Sequence, residues 1–315
     1  MKAVYSFLFV FLGLNTFAQD SLLDELDNIS DSLNIEEGDT LQESSKKKEI
    51  VYGTFIGNRL VNGQSSEMLG KNVFEFNIAH RFGRVNEGWR NFFGLDQASM
   101  RIGLQYGILD QLSVGVGRST YLKTFDLYAK GKLLEQKKHG MPITAVAFAE
   151  IAFDTRKNLY PDARPTFFSQ RISYTGQLII ARKFCEWFSF QVVPTVVHYN
   201  LVEKKADKNT LFSVGLGSSI KVMKKMNITA EYYARIKDNP NNGYHNSLAI
   251  GFDYFTGGHV FQVQLTNSQA MFESGFIRQT TGNFFKGDIH LGFNMTRTFG
   301  FKKKEKKKNE SIVEG

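Results

Sequence analysis

Residues 98–107 read ASMRIGLQYG. Ala98, Met100, Ile102, Leu104 and Tyr106 form one set, and Ser99, Arg101, Gly103, Gln105 and Gly107 the other. Successive side chains of a strand point to opposite faces, so this period of two makes a strand with one apolar and one polar face. In a soluble sandwich the apolar face turns inward. In a membrane barrel it turns to lipid and the polar face lines the lumen. The stretch alone does not choose between them.

The pattern recurs along the chain. Leu112, Val114 and Val116 alternate with Ser113, Gly115 and Gly117, and Phe125, Leu127 and Ala129 with Asp126, Tyr128 and Lys130. Similar alternation marks 171–180, 212–217, 247–254, 261–266 and 289–296, and less regular segments lie near 72–81, 143–153, 187–199 and 227–236. Twelve strands result. The links near 108–110, 134–142, 183–186, 223–226 and 256–258 are mostly shorter than those near 82–97, 154–166, 201–209, 237–245 and 268–286. Short turns on one side and long loops on the other are the habit of transmembrane barrels. The fold class is therefore an all-β, transmembrane antiparallel β-barrel of about 12 strands spanning residues 72–300.

Composition agrees. Gly is frequent at 28, Pro is scarce at 5, and aromatic residues reach 14%, while the chain is too polar on average for a bundle of membrane helices. Lys2, the apolar core Val4–Leu14 and the small-residue site Thr16-Phe17-Ala18 read as a secretory signal peptide over 1–18, and the cleavage site lacks the Cys of a lipoprotein. Residues 19–50 form an acidic periplasmic linker too poor in apolar residues to build a core. Residues 51–71 fit a periplasmic lead-in, an additional strand pair or a plug entering the lumen. Residues 301–315 are a basic periplasmic tail, so much of the formal charge of +8 is local. Cys185 stands alone, which removes any intramolecular disulfide framework or thiolate metal site.

The lumen face carries both signs: Glu75, Asp126, Glu150, Glu231 and Asp253 against Arg81, Arg101, Lys130, Arg171 and Arg235. Buried charges persist when paired, so ion pairs across the interior are expected, either as structural filling or as a selective pathway. Tyr106, Phe125, Trp187, Tyr199, Tyr254, Phe261 and Phe299 are the expected aromatic girdle residues at the two membrane interfaces. Pro194 falls inside a predicted strand, which calls for a bulge or a different boundary. Asn267 to Phe272 open the longest loop and read as an ordinary capped turn rather than a constriction inside the lumen.

FNIAHRFG (76–83), FGLDQASMRIGLQYGI (93–108), LKTFDLYAKGKLLEQ (122–136) and HVFQVQLTNSQAMF (259–272) together resemble the membrane-bound β-barrel family of unknown function of Bacteroidetes-type envelopes, over roughly residues 50–300. The resemblance implies an outer-membrane barrel and brings no catalytic residues with it. The closing strand DIHLGFNMTRTF resembles the C-terminal insertion signal of outer-membrane barrels, read by the insertion machinery, although a basic tail follows it here.

The expected function is a channel or carrier for a small polar solute, in the outer membrane of a Gram-negative cell with both termini periplasmic. The competing class is a non-catalytic envelope scaffold whose filled barrel binds a protein partner through its loops or tails. A lipid hydrolase ranks last, because His245-Asn246-Ser247 does not set a hydroxyl against an imidazole on a strand. The six histidines are scattered without ligand spacing, so neither a metal nor a cofactor is expected. The terminal lysines lack interleaved aromatics, which argues against nucleic acid and for anionic lipid or a periplasmic protein.

Overall fold

The computed structural model describes residues 50–157, 159, 167–202, 207–239 and 242–300. The signal peptide, nearly all of the acidic linker and the basic tail lie outside the described residues. Twelve strands form: β1 (Val73–Arg84), β2 (Ala98–Leu109), β3 (Leu112–Ser119), β4 (Thr124–Leu134), β5 (Thr144–Asp154) and β6 (Ile172–Cys185). They continue as β7 (Phe188–Tyr199), β8 (Thr210–Met223), β9 (Met226–Ile236), β10 (Ser247–Thr256), β11 (His259–Thr266) and β12 (His290–Gly300). Each pairs antiparallel with its chain neighbours, and β1 pairs with β12 from Val73↔Gly300 to Arg84↔His290, which closes the barrel and leaves no free edge.

Burial along the strands runs opposite to that of a soluble protein. On β2, Arg101 and Gln105 are 1% and 4% exposed, while Ile102 and Leu104 between them are 40% and 37% exposed. Large aliphatic side chains cover the outside, including Leu127, Leu178, Leu216, Ile250 and Val263. Such a surface is stable only against hydrocarbon, and closure is what lets strands cross it with every backbone group satisfied. No helix among the described residues is long and apolar enough to cross a membrane.

Tight links join β2–β3, β6–β7, β8–β9 and β10–β11, and with the link 135–143 they define a turn rim. The opposite, loop rim carries the links 85–97, 120–123, 155–171, 200–209, 237–246 and 267–289. The chain enters β1 and leaves β12 at the turn rim.

Pro194 needs neither a bulge nor a new boundary. The β6–β7 pairing lapses between Gln177↔Thr195 and Ile180↔Val192 and resumes in the same register, while Pro194↔Val214 continues the ladder to β8. The missing N–H therefore costs a local gap on one side, and the ring lies on the exposed outer face.

Candidate functional site

The lumen is occupied from the turn rim by residues 54–67. Leu60 N donates to Gly63 O at 2.9 Å and Ser65 N to Asn58 O at 2.9 Å, which folds Asn58–Ser65 into a small hairpin with Asn62-Gly63 in its turn. The amides of Val61, Asn62 and Gly63 all donate to the Glu231 carboxylate of β9, at 3.3, 2.7 and 3.1 Å. Three convergent amides are a complete anion nest, so one side chain of the wall grips the hairpin tip. Gly63 is required there. A Cβ on it would stand 2.1 Å from the Tyr233 hydroxyl oxygen.

The wall satisfies the rest of the hairpin. Gln262 donates to Leu60 O at 2.8 Å, Asn294 to Val61 O at 3.1 Å, and Gln191 to Gln64 O at 2.8 Å. Arg81 donates to Asn62 Oδ1 at 2.9 Å, and Asn62 Nδ2 donates to Thr266 at 3.1 Å. Lys130 Nζ donates to Glu67 O at 2.6 Å. Phe55 and Leu60 pack with Ala181 on the wall. The hairpin's feet are fixed at the turn rim, where Val51 N donates to Gln136 O at 2.9 Å and Asn72 N to Gly107 O at 2.8 Å.

A second intrusion comes from the loop rim, and it corrects the reading of Asn267–Phe272 as a capped turn. This loop enters the barrel and forms α1 (Glu273–Arg278), in which every residue is buried. Phe272, Phe276 and Ile277 pack on Val197, Leu211 and Tyr233, inward apolar residues that make this part of the lumen dry. Glu273 opens α1, pairing with Arg59 at 3.0 Å and accepting from Gln64 Nε2 at 2.9 Å. Hairpin and loop thus meet across the middle of the barrel.

The charged residues named from the sequence divide into two groups. Glu75, Arg81, Arg101, Asp126, Lys130, Glu150, Glu231 and Asp253 are all buried in the lumen. Arg101 grips Asp126 with two N–H groups, Nε at 3.0 Å and Nη2 at shorter range. Most of the others bind the hairpin or its neighbours: Glu75 accepts from Asn58 Nδ2 at 2.6 Å, and Asp253 accepts from Gln262 at 3.0 Å. Glu150 is 2% exposed and neither carboxylate oxygen has a hydrogen-bond partner among the described residues. Arg171 stands at the loop-rim end of the lumen: it ends a short 3-10 turn before β6, donates to the carbonyls of Asp154 and Lys157 at 3.2 and 3.1 Å, and borders the same space as the inward Ser173 and Phe272. Arg235 also stands at that rim, paired with Asp238.

The aromatic set needs one correction as well. Tyr106, Trp187, Tyr254, Phe261 and Phe299 are exposed near the turn rim, and Phe125 near the loop rim. Tyr199 follows Val197 on the inward face of β7, and its hydroxyl donates to Ser274 O at 3.0 Å. It braces α1 and faces away from lipid. Among the described residues, no group of three or more His, Cys, Asp or Glu is placed to hold a metal ion.

A family model described as a membrane bound beta barrel domain (DUF5777) matches residues 55–299. The chain belongs to this family. The matched range begins at Phe55, so hairpin and α1 both lie within the family domain. No curated protein matches the sequence. Solved barrels are similar at low identity: an outer membrane channel from Pseudomonas putida F1 at 13% identity, TM-score 0.47, covering 74% of this chain and 98% of that one. The NanC porin is 7% identical, with a TM-score of 0.43 and coverage of 72% and 98%. The KdgM porin is 8% identical, with a TM-score of 0.43 and coverage of 73% and 99%.

In this member of the family the plugged barrel keeps open space at the loop rim. A cavity of about 470 Å³ lies above α1, lined by Tyr121, Tyr199, Tyr244, Arg156, Arg278 and Asp207 among others. A smaller cavity of about 240 Å³ opens at the turn rim beside Thr54 and Phe55, among Lys183, Lys221 and Lys224. Neither was legible in the sequence, because each gathers residues from several links and from the plugging segments.

Proposed function

We propose that this barrel is an outer-membrane channel or carrier for a small polar solute, with both termini on the periplasmic side, held shut by hairpin 54–67 and α1. The observation that carries the reading is the manner of plugging. The hairpin has fixed feet at the turn rim, and its tip is held in the lumen by side-chain and amide hydrogen bonds without strand pairing to the wall. A permanently filled barrel has no need of a polar, separable filling, since apolar residues of the same volume fill space at less desolvation cost. A hairpin held by polar contacts exchanges them for water when it leaves, which suits a gate.

Planar-bilayer recording tests the proposal by comparing the native chain with a variant in which both plugging segments, 54–67 and 272–278, are replaced by Gly/Ser linkers. The native protein is expected to give rare steps and the variant frequent ones. A linker variant that folds, inserts and gives no steps overturns the channel. The second reading, a filled envelope scaffold that binds a protein partner, is favoured by the same occupied lumen and predicts that silent outcome. A lipid hydrolase ranks last, and the insertion machinery and anionic lipid are the proposed general partners of the barrel and its tails.

A further inference from the structure

The loop-rim cavity carries chemistry that the plugged lumen does not use. Its volume of about 470 Å³ is in the range of small-molecule sites. Three tyrosines, Tyr121, Tyr199 and Tyr244, contribute to its walls, and two guanidinium groups reach it. One is committed: Arg156 binds Asp154 through Nε at 3.0 and 3.1 Å and through Nη2 at 2.6 Å. The other has no such partner. Arg278 is 8% exposed, and its Nη1 donates to Asn209 O at 2.7 Å and its Nη2 to Lys208 O. Both acceptors are neutral carbonyls, and among the described residues no carboxylate lies within ion-pair reach of Arg278. Asp207, which lines the same cavity, accepts from Asn239 Nδ2 at 3.3 Å.

A guanidinium carries five donors in a planar fork, and two are used here. A buried cation served by carbonyls alone keeps an unmatched charge, which a carboxylate satisfies with short, charge-assisted bonds. The group is also held in place. Its carbon lies 4.8 Å from the centroid of the Tyr199 ring, and the Tyr199 hydroxyl is tied to Ser274 O at 3.0 Å. Tyrosine faces beside a fixed guanidinium suit a ligand with one anionic end and an otherwise uncharged body.

We infer that the loop-rim cavity is a binding site for a small carboxylate-bearing solute, received by Arg278 against the tyrosine walls. This rests on the reading of the barrel as a solute channel or carrier and names the class of solute. It also gives the site a route to the gate, because Arg278 closes the six-residue helix that Glu273 opens, and Glu273 holds Arg59 and Gln64 of the hairpin.

Isothermal titration of the full chain folded in detergent micelles, with glucuronate and glucose as paired probes, tests the inference. The two sugars differ in a carboxylate against a hydroxymethyl group. Saturable glucuronate binding at least about tenfold tighter than glucose binding is expected, as for one charge-assisted contact. Arg278→Gln is expected to abolish the preference. Because that variant also alters the docking of α1, Gln279→Glu is the second probe: it adds a negative charge to the cavity lining, keeps Arg278, and is expected to weaken glucuronate at least about tenfold with glucose unchanged. Heat-modifiable gel mobility confirms that each variant is folded. Equal affinity for the two sugars, binding of neither, or an unchanged glucuronate affinity in Gln279→Glu overturns the inference. Selective binding in a barrel that never conducts supports this site and removes the channel, whereas conduction without selective binding removes this site alone.

Discussion

A carboxylate that accepts three consecutive amides, as Glu231 does from Val61, Asn62 and Gly63, is worth more than any other single contact of the hairpin, because each hydrogen bond to a charged group contributes about 1.5–3 kcal/mol. In Glu231→Gln the charge goes and an NH₂ group is turned toward donors. The expected loss is about 3 kcal/mol of hairpin docking, read as a rise of about a hundredfold in hydrogen exchange at those three amides. Unchanged protection would mean that the other wall contacts suffice. Arg101 and Asp126 make a different case, a buried pair with each side chain 1% exposed or less. Arg101→Leu strands a buried carboxylate and is expected to cost about 3–5 kcal/mol in urea unfolding from lipid vesicles, while the double change Arg101→Leu with Asp126→Leu recovers most of it. At this scale the sequence was legible where parity ruled. Arg101, Lys130 and Glu231 sit on the inward face because their neighbours at even spacing do, and Arg171, in even step with the buried Ser173 and Thr175, extends that face to the loop rim just before β6 begins.

Among the elements, the strands were read from period and the intrusions were not. Residues 98–107 lie within β2, and 143–153 matches β5 to within a residue, because lipid on one side and packed polar groups on the other enforce alternation at every position. The hairpin and α1 have no such two-solvent boundary. Their residues face the wall on all sides, so LVNG and MFESGFIR mix apolar and polar types without a period. Tyr199 was misplaced for a related reason, since an aromatic at a strand end suits both a lipid interface and a wall for α1. Gly63→Val should expel the hairpin tip from beneath Tyr233, seen as increased protease cleavage within 54–67 in a barrel that stays folded. The loop after α1 carries its own lock. Asp288 accepts from the Asn283 amide at 2.9 Å and from Asn86 Nδ2 at 2.7 Å, and these bonds hold its carboxyl below the usual carboxylate range. A depressed folded value means that the contribution is present above the unfolded value of about 4 and fades as pH falls through the lower folded one. Exchange at the Asn283 amide is therefore expected to be flat from pH 8 to 5 after intrinsic correction and to quicken only below about pH 4, and Asp288→Asn is expected to remove that dependence.

For the molecule as a whole, stability depends on which side of each strand meets hydrocarbon. Leu104→Arg puts a cation on the outer face near mid-strand and is expected to destabilise the barrel by about 2–4 kcal/mol, measured as a shift of the urea midpoint in vesicles. The neighbouring Gln105→Leu changes an inward residue bonded to Ser113 and Tyr128, and its effect is local repacking without a lipid penalty. By itself the sequence determined the number of strands, their faces and most of the sorting of tight turns from long links, the short link 120–123 at the loop rim and the longer 135–143 at the turn rim excepted, because a closed sheet between lipid and a packed interior writes its period into every strand. Only the tertiary structure decided that the interior is occupied. Glu231 finds its amides 168 to 170 positions away, and Glu273 finds Arg59 and Gln64 at 214 and 209. Contacts at that separation leave no local pattern, so the barrel follows from alternation while the plug, and the cavity above it, follow from closure.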